Sequence, residues 1–174
     1  MSNEFLIHLT GTCALVLNVL AIVRTCERRL RIQSGVAGLV WALNNLLLGA
    51  HSAAALSLVS AGRTASSAAT LQGNAAQRRQ AFAAFAALTL LVCALTWQGW
   101  LSAFLMTASL LSTYSMFYLR GPALRWMMLL VSMLWMFNAW TYGSWEQVAA
   151  NAASAVAALY AAWRACRAGR LSIA

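Results

Sequence analysis

Five asparagines lie inside long apolar segments, and the strongest candidates for function among them are Asn44, Asn138 and Asn151. A primary amide in hydrocarbon costs free energy unless it finds a hydrogen-bonding partner or a wet cavity. In the membrane helices predicted below, Asn44 and Asn138 lie about five or six residues, or about 8 Å, from the helix ends that face away from the cytoplasm. Asn151 lies at about the same depth from that surface. Three amides at one level predict a binding site for a polar neutral solute. The alternative is that they only join neighbouring helices by hydrogen bonds.

Trp41 and Trp135 precede Asn44 and Asn138 by three residues, so each indole lies one turn from an amide on the same helical face. An aromatic plane beside an amide suits a sugar, a nucleoside or another flat ring, which offers an apolar face and hydrogen-bonding edges. We therefore include both tryptophans in the candidate binding site, with core packing as the alternative.

Arg63 falls deep inside a predicted helix, about twelve residues and therefore about 18 Å from the outer helix end. An arginine at that depth usually faces protein or water and finds a partner. Arg63 could bind an anionic group of a substrate or close an inner gate by bonding backbone carbonyls. The alternative is a side chain that extends to the cytoplasmic surface.

A hydroxyl stripe is predicted on one side of a later helix, at Ser109, Ser112 and Thr113. Hydroxyls at helical spacing fit the lining of a pore. Hydrogen bonding to backbone carbonyls, with a role in packing alone, is the alternative.

The sequence lacks the residue sets that catalysis would require. We find no nucleophile–base set, paired-acid motif or phosphate loop, so the chain is not expected to be an enzyme. His8, His51 and Glu146 have no metal-ligand spacing, and the four cysteines include no short pair. We therefore expect no metal and no cofactor.

The elements that position these residues are predicted to be membrane helices. The chain of 174 residues is 62% hydrophobic and 9% charged, with mean hydropathy +0.70, which does not suit a water-soluble domain. Apolar stretches of helical length recur from end to end, and strand alternation is absent. The net charge of +9 is expected to set membrane orientation rather than nucleic-acid binding.

Uncommon residues recur at an offset of 94 positions, which indicates a duplicated unit. Trp41, Asn44 and Gly49 return as Trp135, Asn138 and Gly143. Seven helices are predicted, at about 5–23, 33–49, 52–71, 81–96, 101–119, 126–142 and 145–164. They form a first three-helix repeat over 1–71, a polar linker and linker helix over 72–98, and a second three-helix repeat over 99–174.

The arginines give the predicted orientation. Basic loops are expected at 24–31 and 120–125, and a polar linker at 72–80. With seven membrane crossings, all twelve arginines fall on one side, which the positive-inside rule makes cytoplasmic. The N-terminus would then lie outside and the C-terminus in the cytoplasm. The odd linker helix gives both repeats the same direction, as in a parallel repeat about an axis along the membrane normal.

Several short motifs together point to a known family, and they are Arg28-Arg-Leu-Arg31, Leu47-Leu-Gly49, Arg63-Thr64, Trp135 and Gly143-Ser144. In these motifs the chain resembles the bacterial inner-membrane family called YgjV. More distantly, three-one-three helices with Trp, Asn and Gly in the second helix resemble the SWEET, PQ-loop and PnuC group of small-solute transporters. The first helix of each repeat lacks the proline of SWEET-like proteins, so the resemblance implies the fold better than their hinge mechanism.

These observations predict an all-α integral membrane protein of the bacterial inner membrane, with seven transmembrane helices in a SWEET-like 3+1+3 arrangement. It would move a small polar solute, such as a sugar, a nucleoside or a vitamin-like molecule, by alternating access between two three-helix bundles. The alternative is a non-transporting scaffold or regulatory subunit of a partner complex. The predicted partners are the lipid bilayer and the solute, with homo-oligomerisation left open and no nucleic acid.

Overall fold

The chain forms seven α-helices in a computed structural model that describes residues 3–23, 27–70, 74–119 and 121–171. The helices are α1 (Asn3–Val23), α2 (Glu27–Leu47), α3 (His51–Ala69), α4 (Ala75–Leu95), α5 (Trp100–Tyr118), α6 (Gly121–Thr141) and α7 (Trp145–Leu171). No strand occurs in those four ranges. The all-helical fold is confirmed, and each helix overlaps the range predicted for it.

The basic loops and the polar linker are shorter than predicted, because their arginines continue into helices. Helix α2 already begins at Glu27, so residues 28–31 are helical. Helix α4 begins after a capping box. The Asn74 side chain accepts from the Gln77 backbone N–H at 2.8 Å, and the Gln77 side chain accepts from the Asn74 backbone N–H at 3.2 Å. Arginine, glutamine and alanine all favour helix, so charge did not mark the helix ends. The repeat boundary predicted at 71–72 lies outside the described residues, as do Arg24 and Arg120.

The turns that join α2 to α3 and α6 to α7 have the same hydrogen bonds at an offset of 94 residues. In the first turn the Gly49 N–H donates to the Leu46 carbonyl and the Ala50 N–H donates to the Asn45 carbonyl. In the second, Gly143 and Ser144 donate to the carbonyls of Trp140 and Ala139. This Schellman pattern needs a left-handed residue, and the two glycines have φ of +74° and +68°. The duplication predicted from Trp, Asn and Gly therefore extends to the backbone of both turns.

The helices pack in a closed order. Helix α1 contacts α2, α2 contacts α3, α3 contacts α5, α5 contacts α6, α6 contacts α7, and α7 returns to α1. Helix α4 packs against both α3 and α5. The contacts within α1–α3 are thus the same as those within α5–α7, and the α3–α5 junction has its counterpart in the α7–α1 junction.

Large apolar side chains cover the outside of this helix arrangement. On α2 they form one stripe at helical spacing, with Ile32, Val36, Leu39, Leu43 and Leu46 all 46–54% exposed. The buried apolar residues are mostly alanine, and about as many buried residues are polar. An apolar exterior around a polar interior is the reverse of a soluble protein and suits a hydrocarbon solvent.

Three helical segments in the described part of the chain are long and apolar enough to cross a membrane by length and composition. They are Asn3–Ala21, Ala75–Leu95 and Ala123–Thr141. Tryptophans stand exposed at the helix ends on one side of the molecule, at Trp97, Trp100, Trp140 and Trp145, which is where an interfacial aromatic belt would lie.

Candidate functional site

Asn44 is fully buried and its amide is satisfied by protein groups. Its Nδ2 donates to the Ile7 carbonyl at 2.7 Å and to Thr10 Oγ1 at 3.0 Å, both on α1. Its Oδ1 accepts a longer bond from the Ser144 hydroxyl, just before α7, at 3.4 Å. The side chain therefore ties α2 to α1 and to the start of α7.

Asn138 occupies the equivalent place in the second half and has no such partners. It is only 1% exposed, and neither its Nδ2 nor its Oδ1 has a hydrogen-bond partner among the described residues. Trp135 lies three residues before it on the same face of α6, and Tyr142, four residues after it, directly follows the end of the helix. Both pack against an apolar cluster in α3, α4 and α5. Asn138 is thus an orphaned amide on an inward-facing surface of α6.

The sequence explains part of the difference between the two asparagines. At the offset of 94 residues, Thr10 corresponds to Phe104 and Ser144 corresponds to Ala50. The Thr10 and Ser144 hydroxyls that bond Asn44 thus have a phenyl ring and a methyl group at the equivalent positions. The counterpart of the Ile7 carbonyl, at Leu101, is present but makes no hydrogen bond to Asn138. Burying an amide without partners costs free energy, about 1–3 kcal/mol for each unsatisfied group.

Asn151 differs again from the other two asparagines. It is half-buried and donates to the Gln147 carbonyl of its own helix at 2.9 Å. Gln147, which the sequence did not single out, is 4% exposed with its Oε1 unpartnered in the described structure. No hydrogen bond joins Asn44, Asn138 and Asn151 to one another within the described ranges. Their common role in binding a solute stays a prediction.

Arg63 lies in a polar cluster between α3 and α5. Its Nη1 donates to the Ser109 carbonyl and to Thr113 Oγ1, both at 2.9 Å, and its Nη2 donates to Ser60 Oγ at 2.8 Å. Thr89 of α4 joins the same cluster through a 3.3 Å contact with Ser109 Oγ. Three of the predicted residues, Arg63, Ser109 and Thr113, are therefore in direct contact.

The Arg63 side chain does not extend to a helix end, because it is only 2% exposed. Its Nε is buried without a partner, and no carboxylate pairs with it in the part of the chain that the structure describes. Ser112 is also buried, although no hydrogen bond joins it to Arg63. Ser60 could have been found from its position three residues before Arg63, which is one helical turn. Thr89 gave no such signal, since it belongs to the linker helix.

The two predicted site tryptophans both lie in apolar layers. Trp41 is 9% exposed and forms a cluster with Ala14 of α1 and Ala150 of α7. Trp135 packs against the cluster of Ala50, Ala53, Leu56, Cys93 and Leu105. Along α3 and α5, Leu56 and Leu105 each lie one turn before a member of the Arg63 cluster. An apolar layer therefore separates the arginine from the tryptophan-bearing end of the molecule.

Two polar contacts bridge the helix junctions at that same end. His8 Nδ1 of α1 lies 2.7 Å from Glu146 Oε1 of α7. The glutamate packs closely on Gly11 of α1, where an added Cβ would lie 3.1 Å from the Glu146 Cβ. Ser52 of α3 lies 3.3 Å from Ser102 of α5, hydroxyl to hydroxyl, and also donates to the Thr96 carbonyl. These pairs match one another at the offset of 94 residues.

Comparison with known proteins gives one match. Residues 5–168 match the family model Imp-YgjV, described as a bacterial inner membrane protein, so the chain belongs to that family. No curated protein and no solved structure matches the chain. The predicted family is thereby confirmed, whereas the more distant likeness to the SWEET, PQ-loop and PnuC group stays a prediction.

Proposed function

We propose that this bacterial inner-membrane protein of the Imp-YgjV family is a transporter or facilitator for a small polar solute. All seven helices would cross the membrane, with α1–α3 and α5–α7 as two bundles that rock against each other and α4 as the linker. The arginine-rich helix ends would face the cytoplasm.

The orphaned amide of Asn138 is the observation that carries this proposal. A buried amide with neither donor nor acceptor satisfied is rare in folded proteins, and it costs stability unless something supplies the missing bonds. A solute with a donor beside an acceptor would supply both. Trp135, one turn away, would offer its aromatic face to the same solute.

The arrangement of the helices supports alternating access. The two bundles meet at two junctions, α3 with α5 and α7 with α1, and matched polar contacts bridge both junctions at one end. Opening that end would break the contacts Ser52–Ser102 and His8–Glu146 together. It would also break the 3.4 Å bond from Ser144 to Asn44. These bonds are few, and none joins two permanent charges, which would keep the cost of opening low.

Solute flux into proteoliposomes is the direct test. Purified protein would be assayed against labelled sugars, nucleosides, vitamins and small acids. Replacement of Asn138 by leucine should abolish flux of the active solute, whereas Gln80→Leu, which removes an exposed amide from α4, should leave it unchanged. Full flux in the Asn138→Leu variant would refute a role for this amide.

A reversible cross-link tests the rocking motion. The hydroxyls of Ser52 and Ser102 are 3.3 Å apart, so cysteines at both positions, in a background without the four native cysteines, should form a disulfide. Oxidation should stop flux and reduction should restore it, while either single cysteine should have no effect. If the cross-linked protein transported normally, this end of the molecule would not need to open.

Absence of flux across the whole solute panel would overturn the transport proposal. If a stoichiometric partner then co-purified from native membrane, the protein would instead be a scaffold or regulatory subunit. Co-purification of the chain with itself alone, in a preparation that shows flux, would support transport by a homo-oligomer.

A further inference from the structure

The guanidinium of Arg63 has unused hydrogen-bonding capacity on one edge. Of its five N–H groups, two on Nη1 and one on Nη2 donate to the neutral acceptors Ser109, Thr113 and Ser60. The Nε–H is buried without a partner in the described structure, and a second N–H remains on Nη2. Nε and Nη2 together form the planar fork that binds the two oxygens of a carboxylate.

No carboxylate in the described part of the chain compensates the positive charge at this place. Glu146 pairs with His8, and Glu4 lies exposed in the first turn of α1, so neither neutralises Arg63. The side chain of Glu27, the third acid of the sequence, lies outside the described part of the chain. A fully buried charge held only by neutral groups is unfavourable, and an anion that enters the site relieves this cost.

We propose that Arg63 binds a small monocarboxylate, in a site formed with Ser60, Ser109 and Thr113 between the two bundles. A monoanion leaves the buried pair neutral, whereas a dianion would leave one negative charge in a medium of low dielectric constant. The apolar layer of Leu56, Leu105 and Trp135 lies next along the helices and is packed, so the bound acid should have at most a short apolar tail. The inference rests on the proposed function in one respect, since the bound anion would be the transported solute or part of it.

The residues 94 positions away from the members of this site indicate that it occurs at one of the two junctions only. Arg63 corresponds to Ala157, Ser109 to Leu15 and Thr113 to Val19, so the α7–α1 junction lacks the charge and two of the three hydroxyls. Only Ser60 has a hydroxyl counterpart, Ser154, which accepts from Asn18 at 3.3 Å. One binding site for each chain is therefore expected.

Equilibrium binding of acetate tests the proposal without requiring transport. The purified full chain, in nanodiscs of zwitterionic phosphatidylcholine, would be titrated with sodium acetate, and binding would be followed by thermal stability and tryptophan fluorescence. Acetamide, which has nearly the same shape without the charge, is the matched ligand control. Acetate should raise the melting temperature with saturation, and acetamide should not.

Variants of the arginine assign the effect to the site. Arg63→Gln should abolish the acetate response, and Arg63→Lys, which keeps the charge but lacks the fork, should weaken acetate binding about tenfold. Arg79→Gln removes an exposed arginine of α4 and should respond as the wild type does. If Arg63→Gln does not fold, the lysine variant still decides, because unchanged affinity there would overturn the role of the fork.

An anionic lipid headgroup is the other source of a monoanion, and a second nanodisc composition distinguishes it. Acetate binding that persists in phosphatidylglycerol supports a soluble ligand. Stabilisation by phosphatidylglycerol through Arg63, with no response to acetate, overturns the proposal in favour of a lipid site. An equal response to acetate and acetamide also overturns it. Transport of a neutral solute without acetate binding would overturn this inference alone and leave the proposed function intact.

Discussion

Replacing each of the two repeat-related asparagines by leucine should have opposite effects on stability. Asn44→Leu removes an amide that bonds to Ile7 and Thr10 at 2.7 and 3.0 Å. Asn138→Leu removes an amide that has no partner among the described residues. Leucine keeps the branching at Cγ in both cases, so the two variants differ mainly in the hydrogen bonds that they lose.

The expected magnitudes follow from these contacts. Two hydrogen bonds contribute about 0.5–1.5 kcal/mol each, so Asn44→Leu should lower the free energy of unfolding by about 1–3 kcal/mol. Measured values inside membranes lie near the lower end of that range. For Asn138→Leu the cost of two unsatisfied polar atoms disappears, while crowding by the bulkier methyl groups offsets part of the gain. This variant should be as stable as the wild type or more stable by up to about 2 kcal/mol.

Reversible unfolding in sodium dodecyl sulfate, followed by tryptophan fluorescence, measures both variants against the wild type. The solute-flux assay would be run on the same preparations. Asn138→Leu should combine retained stability with lost flux, which separates function from folding. A loss of stability in Asn138→Leu equal to that in Asn44→Leu would show that the amide is bonded in the native protein, and the reasoning from its orphaned state would fail.

Two further predictions concern packing and orientation. Gly38→Leu should destabilise the protein by about 1–3 kcal/mol, because even a Cβ there would lie 3.2 Å from the Cβ of Ala61 and 3.5 Å from its Cα. Gly62→Ala, at an exposed position of α3, should stabilise the protein by about 0.5–1 kcal/mol. Thermal unfolding of both variants checks the contrast. Arg79 lies near the start of α4 and Gln98 follows its end, so they should face opposite sides of the membrane. A cysteine in place of Gln98 should react with an impermeant maleimide on intact cells, and a cysteine in place of Arg79 should react only after permeabilisation. The reverse pattern would invert the proposed topology.

The fold was predictable because its signals were periodic and repeated. Helix number followed from apolar segments of sufficient length, and the weakly apolar α3 was found only because α7 matches it at a fixed offset. Helix starts were less predictable, because the arginine-rich stretches that we assigned to loops also have a high propensity to form helix. The segment before Gln77 is an example, because a capping box placed the start of α4 among polar residues.

The candidate site was only partly predictable, because sequence identifies polar residues but not their partners. Arg63, Ser109 and Thr113 were each selected, yet their direct contact depends on the packing of α3 against α5. The contrast between Asn44 and Asn138 could not be predicted either, because the sequence does not show that Thr10 and Ser144 are the hydrogen-bond partners of Asn44. Identical side chains in a repeat need not have identical surroundings.

That contrast gives the two halves different evolutionary freedom. Around Asn44 a substitution changes both the amide and the hydroxyls it holds, so Thr10 and Ser144 should be retained with it throughout the family. Around Asn138 no hydrogen-bond partner among the described residues has to be matched to the amide. Under the proposed function, the preference for one solute over another should therefore diversify through the second copy of the duplicated unit, while the first copy preserves the architecture.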